Sequence, residues 1–437
     1  MLQRCRPGQT GLTKGPLGRT AILVCLAQMV LCGCRNAEAP SGHLPFPPTP
    51  STVWSRPVLA SYGAAGVYMV WADHARSSSG RLLEKGDALF ASTKNEKGWL
   101  SPRRLFERDS PAWFFAHPTI ARTSDRMFLC WTGWTGLYFS AVPIAEAENP
   151  KAWALPVAIA SIVGVDRQAM LAENDGNIHI LFGCLGKNLG GDGGFYYLRS
   201  EDGGHAWSAP VRLARIDQPE TSLASMPQMT IDAGGGLHAV WSEYSAPRWT
   251  GTKIVYARSN DHGKSWAQPK ILFDIGTQER WADAPNIVST QDGSIHLVWT
   301  CGWTPHRCYS CSSDGGQSWT ARKQIFGDFV SLAGWDTMQA DSAGALFFVT
   351  QLRFPMGMYF AVRRPGSDWT GPVAFESRLG FEDGHYPSAV FSANGDFHAI
   401  WQRRSDAEGL GYLRLAPDGR VLELSFSPLQ TADGARK

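Results

Sequence analysis

The 437-residue sequence has almost no excess of charge, with 41 Lys and Arg against 39 Asp and Glu, a formal +2. Four basic residues within 1–33 (Arg4, Arg6, Lys14 and Arg19) carry that surplus, and without them the chain is marginally acidic. A chain so close to neutral offers no electrostatic case for binding nucleic acid. Long apolar runs are missing too. The run from Thr20 to Leu31, about a dozen residues, is too short to cross a bilayer. Little of the chain reads as amphipathic helix. Cysteine is sparse beyond Cys34, where only Cys130, Cys184, Cys301, Cys308 and Cys311 follow. The spacing of Cys308-Tyr-Ser-Cys311 suggests metal or redox chemistry, but alternation along a strand directs positions 308 and 311 to opposite faces. No metal-ligand spacing is present elsewhere, so no metal or other cofactor is expected, and metal-dependent lyase or sulfatase chemistry ranks low. Cys301 and Cys308 flank a probable hairpin loop and could pair in an oxidising compartment.

Glycine (46), proline (27) and tryptophan (18) are what the chain has in quantity. That balance favours an all-β protein rich in turns. One β-run ending in an aromatic recurs: Val67–Trp71, Met127–Trp131, Ile178–Phe182, Leu237–Trp241, Ile295–Trp299, Leu346–Thr350 and Phe397–Trp401. A proline usually precedes each run (Pro57, Pro118, Pro227, Pro285, Pro387), with Gln168 and Asp336 in its place in two copies. A closing tryptophan follows six of them: Trp99, Trp153, Trp207, Trp266, Trp319 and Trp369. Four strands repeated at this interval are the signature of propeller blades, none of which can bury its faces alone. The count is seven four-stranded blades, with six as the alternative.

His179, His238, His296 and His398 occupy one repeat position, where other copies carry Tyr68, Phe128 and Phe347. A histidine that exchanges with aromatics is packing within its sheet, not binding metal. Three of the closing tryptophans end a tighter motif, S-x-D-x-G-x-x-W, at Ser200–Trp207, Ser259–Trp266 and Ser312–Trp319. The Ser and Asp side chains can satisfy turn amides, the Gly can take positive φ, and the Trp folds back as an apolar plug. This motif resembles the Asp-box, or BNR repeat, of bacterial sialidases and other β-propellers. The resemblance covers residues 53–424 and implies a sialidase-like propeller that recognises glycans and can hydrolyse them as an exo-glycosidase, with a non-catalytic carbohydrate- or protein-binding or assembly propeller as the runner-up. Sialidases have six blades, a departure that weakens the transfer of their chemistry.

The N-terminal residues read as an export signal, a basic segment followed by the apolar run. Its end, Leu31-Cys32-Gly33-Cys34, resembles the lipobox of bacterial lipoproteins. That resemblance implies a signal peptide over 1–33, cleavage before Cys34 and diacylation of its thiol. Arg35 in place of Asp then implies outer-membrane anchoring in a Gram-negative host. Residues 34–52 would be the lipidated cysteine and a Pro-rich tether, and 425–437 a C-terminal tail.

In a propeller the loops before the first strand and between the second and third strands share one face. Positions just before the proline column are Arg56, Trp113, Phe114, His117, Asp166, Arg167, Arg280, Trp281, Asp283, Trp335, Asp336, Asp383, His385 and Tyr386. Those just after the aromatic column are Asp73, His74, Trp134, Glu243, Tyr244, Arg248, Trp249, Trp303, His306, Arg353 and Arg403. Aromatic faces stack on sugar C–H surfaces, and Arg and carboxylate groups bond hydroxyls or an acidic group. A sialidase-like site would take Arg56, Arg167 and Arg280 as the carboxylate clamp, Glu243-Tyr244 or Tyr386 as nucleophile, and Asp73 or Asp283 as acid. Ser55-Arg56-Pro57 stands where that family carries Arg-Ile-Pro, with the Arg displaced by one residue.

Overall fold

The computed structural model describes residues 56–73, 88–107, 116–133, 135–162, 164–184, 193–216, 224–244, 251–276, 279–354, 356–376, 385–403 and 409–426. These form a β-propeller of seven antiparallel sheets, with two short 3-10 turns, Ile144–Glu146 and Pro150–Ala152. Blades 1 to 7 run over 58–107, 116–160, 165–215, 224–274, 281–325, 330–376 and 385–426. Within each, the strands pair in chain order, innermost to outermost; blade 1 adds the two-residue strand Gly98–Trp99. The first strands pack side by side around a central shaft, and the ring closes where Val58–Tyr62 of blade 1 meets His385–Phe391 of blade 7. Closure uses no exchanged strand, since all four strands of blade 7 come from its own segment.

The second strand of each blade is apolar on both faces because alternate side chains feed different interfaces. In blade 3, Ile180 and Phe182 pack against blade 2, and Leu181 packs against blade 4. The aromatic column ends these strands in the core: Trp71, Trp131, Phe182, Trp241, Trp299 and Trp401 are fully buried. Thr350 is buried in the same place in blade 6.

The histidine column is structural. Nδ1 of His179, His238, His296 and His398 lies 2.7–2.8 Å from the hydroxyls of Tyr197, Tyr256, Tyr309 and Tyr412 on the third strand. Nε2 meets Glu173, Asp232, Thr290 or Ser392 at the turn between the first two strands. Burial lowers the pKa of all four, that of His296 to about 4.

The three boxes take the local structure their motif predicts. In blade 5 the Ser312 hydroxyl donates to Asp314 (2.7 Å), whose carboxylate accepts from the backbone N–H of Gln317 and Ser318 at 3.0 and 2.9 Å. The Ser318 hydroxyl also donates to this carboxylate, and that bond with the backbone ones holds the Asp314 carboxyl well below the usual carboxylate range; the Ser265 hydroxyl and N–H hold the Asp261 carboxyl at about 2 in the same way. Gly204, Gly263 and Gly316 all have positive φ, as a turn of this shape requires. The boxes lie between third and fourth strands, on the side of the short first-to-second turns, where Gly203 N–H donates to Gly176 O (2.9 Å). The opposite side carries the shaft mouth.

Candidate functional site

The first strands of six blades break register on entering the shaft, and in four of them the break surrounds a residue that precedes proline. Pairing slips between Ala116 and Thr119, Ser225 and Gln228, Asp283 and Asn286, and His385 and Ser388. Inside each slip a residue that precedes proline sits at positive φ: His117 (49°), Met226 (58°), Ala284 (51°) and Tyr386 (54°). Non-glycine residues rarely adopt this region, and each instance costs about 1–3 kcal/mol. The bulge re-aims the side chain before the proline, and all four residues line the shaft cavity, about 400 Å³ in volume. The same position holds Arg56 before Pro57 in blade 1, and Arg167 before Gln168 in blade 3; both line the cavity. Strained backbone at one level of four first strands, with Arg56 and Arg167 at the same level of two others, sets the mouth of the shaft.

Two arginines converge on one ring there. The Arg56 guanidinium lies over Tyr386, its Cζ 4.2 Å from the ring centroid, and Nη2 donates to the Tyr386 hydroxyl (3.2 Å). Nη1 of Arg56 donates to Nδ1 of His117. Arg167 Cζ is 5.9 Å from the same centroid, and its Nη1 contacts the Met226 sulfur. Gln168 steadies the level: Nε2 donates to the carbonyl of His117, and Oε1 accepts from Thr132 Oγ1 (3.1 Å).

Blade 6 contributes a buried ion pair to the same wall. Asp336 lines the cavity, yet its side chain is fully buried and is ion-paired to the equally buried Arg307 at 2.5 Å. Arg307 Nη1 also donates to Ser331 Oγ (2.9 Å), and Thr350 Oγ1 donates to Asp336 Oδ1 (2.7 Å). Oδ2 of Asp336 accepts no hydrogen bond from the described residues. Burial pushes the Asp336 carboxyl up, against the pull of Arg307. One blade away, the Tyr244 hydroxyl donates to Asp283 Oδ1 (2.7 Å), which also accepts from Ala284 N–H.

Several expected site residues fall elsewhere. Arg280 is exposed and does not line the shaft, because Ala284 occupies the mouth position of blade 5; its Cζ lies 5.8 Å from the centroid of its neighbour Trp281. An arginine triad therefore reduces to a pair. Tyr244 has Asp283 for its carboxylate partner, where the sequence suggested Glu243. Asp336 is a buried partner of Arg307 where a rim ligand was expected. Arg403 is bound to Glu376 at 2.7 Å. Asp73, Asp166, Trp335 and His385 lie on strands, with only their backbone described. Trp113, Phe114, His74, Trp134, Arg248, Trp249 and Asp383 lie outside the described residues, as does Cys34. Sequence reasoning missed Arg307; a lone arginine in a strand otherwise given over to core residues was its signal. The cysteine pair suggested by the hairpin is present as a Cys301–Cys308 disulfide. Among the described residues no three His, Cys, Asp or Glu side chains gather as a metal site requires.

Comparison with known proteins points the same way as the repeats. A family model described as BNR repeat-like domain matches residues 140–399. Among solved structures, the BP39L lectin from Burkholderia pseudomallei superposes with a TM-score of 0.59 at 12% identity, covering 86% of this chain and 99% of the lectin. The polysaccharide lyase Uly1 gives 0.55 at 10% identity, over 85% of this chain and 90% of the lyase. The NanB sialidase from Streptococcus pneumoniae gives 0.45 at 12% identity, over 83% and 68%. No curated protein matches by sequence.

Proposed function

We propose, for a chain that belongs to the BNR repeat-like domain family, recognition of acidic glycans at the shaft mouth. The observation that carries this reading is the convergence of Arg56 and Arg167 on the Tyr386 ring. Two guanidiniums gathered at a half-buried site present the forked donors that a ligand carboxylate or sulfate fits. Tyr386 offers an aromatic edge to the sugar ring. A cavity of about 400 Å³ suits one sugar unit. Propellers of this shape include a lectin and a polysaccharide lyase, which supports a glycan as the ligand class.

Hydrolysis is the second reading, favoured by the tyrosine–carboxylate pair Tyr244–Asp283. A carboxylate that draws the phenolic proton would make Tyr244 a nucleophile. Neither residue lines the shaft cavity, so binding ranks above turnover.

A glycan array with the purified protein tests the first reading. Sialylated, uronate or sulfated glycans should be retained over their neutral counterparts. Arg167→Ala should weaken that binding about 10- to 100-fold, the loss of one or two charge-assisted contacts, with an unchanged melting temperature. Equal retention of neutral and acidic glycans, or indifference to Arg167→Ala, would overturn it. Release of 4-methylumbelliferone from its sialoside or uronide, lost in Tyr244→Phe, would establish the second.

A further inference from the structure

Trp303 is the sole tryptophan among the exposed large apolar side chains of the described residues, at 66% of its full exposure. It stands at the tip of the hairpin joining the second and third strands of blade 5 (Ile295–Gly302 and His306–Ser312), on the side of the shaft mouth. Leaving an indole in water contributes nothing to folding, and a hairpin tip has no need of one. This tip is nevertheless held on several sides. The Cys301–Cys308 disulfide closes it from below, with Cα atoms 5.8 Å apart. His306 Nδ1 donates to the Phe329 carbonyl (3.1 Å), and Ser331 N–H donates to the Pro305 carbonyl (2.7 Å), which ties the tip to the entry of blade 6. Arg280 N–H donates to the Gly302 carbonyl (3.1 Å) and brings an exposed guanidinium to its flank.

An exposed aromatic ring on a hairpin whose backbone is pinned loses little conformational freedom on meeting a ligand, which is what a stacking platform requires. The platform is also continuous with the shaft. Trp281 pairs with Gly302 beside the tip, and the same strand runs on to Ala284 and Pro285 in the cavity wall. The tip therefore stands roughly 10 Å along the strand from the mouth position, at about 3.3 Å per residue.

We propose that this hairpin is a second sugar subsite, at which Trp303 stacks on a pyranose ring of an acidic oligosaccharide whose anionic terminal unit sits between Arg56 and Arg167. The inference rests on the shaft-mouth reading and narrows the ligand to a glycan longer than one unit.

The test uses the full chain and two size series, oligogalacturonides and α2,8-linked sialic acid oligomers of one to six units, followed by calorimetry. For at least one series, affinity should rise about tenfold between the monosaccharide and the trimer, the gain expected from one stacked ring. Trp303→Ala should abolish that rise while leaving monosaccharide affinity unchanged, and Trp303→Phe should keep part of it. The double variant Cys301→Ser with Cys308→Ser should lose part of the rise without losing the monosaccharide. If Trp303→Ala binds every length as the parent protein does, or if no oligomer of either series binds, the subsite is overturned. If oligomers bind through Trp303 but the binding is indifferent to Arg56→Ala and Arg167→Ala, the anchored arrangement fails at the shaft mouth, and the hairpin stands alone as a sugar site.

Discussion

Tyr256 and Trp319 meet edge to face across a blade boundary, their ring centroids 5.4 Å apart. Tyr256 lies on the third strand of blade 4, and Trp319 closes the Asp-box of blade 5. The same contact joins Tyr197 to Trp266 (4.8 Å) and Phe139 to Trp207 (5.0 Å). A Cβ on Gly316 would overlap the Tyr256 hydroxyl, and one on Gly263 the Tyr197 hydroxyl. Each box is thus a bolt between neighbouring blades as much as a turn within its own.

Trp319→Ala should therefore destabilise the ring by about 2–4 kcal/mol, short of a fully buried tryptophan because Trp319 is only partly buried. Gly316→Ala should cost a similar amount, through positive φ (78°) and the clash with Tyr256. Urea unfolding reads both, and glycan binding by the folded variants should match the parent. A Trp319→Ala protein that unfolds at the parent's urea midpoint would deny the bolt.

The Arg307–Asp336 pair should respond very differently to single and double replacement. Asp336→Asn or Arg307→Met alone strands a buried charge and should cost about 3–5 kcal/mol, whereas replacing both with apolar residues should cost less than either. Thermal unfolding of the three variants gives the coupling directly. Additive losses would mean that the pair is not a unit.

Stability should fall as pH drops below the ordinary histidine range. His296 is held neutral chiefly by burial, with Arg363 acting in the same direction and Asp292 against it. Its folded pKa of about 4 lies below the unfolded value near 6.5, so its stabilising share is complete above 6.5 and is lost as pH falls toward 4. The share is on the order of 3 kcal/mol. His296→Phe, which imports the residue that blades 2 and 6 use at this position, should flatten the profile between pH 6.5 and 4. An unchanged slope in that window would place the acid sensitivity elsewhere.

The reading of residues 1–34 as a lipoprotein signal predicts that Cys34→Ala leaves the propeller folded and releases it from membranes. Fractionation of expressing cells measures this, together with globomycin sensitivity of processing. Retention of the Cys34→Ala protein in the membrane fraction would refute the anchor.

Blade number was legible because one apolar run recurs with an aromatic at its end, and burying both faces of that strand in every blade leaves little freedom in its composition. The histidine column was legible for the same reason, since exchange with Tyr and Phe betrays packing. The mouth was half legible. Pro118, Pro227, Pro285 and Pro387 advertise a register break, but nothing in the letters says that the preceding residue turns to positive φ and re-aims its side chain. Arg280 joined Arg56 and Arg167 in the expected clamp because all three precede an innermost strand. Only the ladder of Trp281, Ala282 and Asp283 against Gly302, Cys301 and Thr300 shows how far upstream it lies. The Arg307–Asp336 pair joins residues 29 apart on different blades, and no local pattern announces such a partnership.

Ring closure without an exchanged strand has a topological consequence. The seam between blades 7 and 1 is built from side chains: Trp99 on Tyr412, Lys94 paired with Glu423 at 3.0 Å, and Leu59 N–H donating to Ser388 at 3.1 Å. It is the same kind of joint as the other six, differing only in having no peptide link across it. A gene cut at any inter-blade loop and rejoined across the seam would encode the same seven sheets. The first blade to leave the ribosome has no partner on one side until the last arrives, so the circle can be completed only when synthesis is.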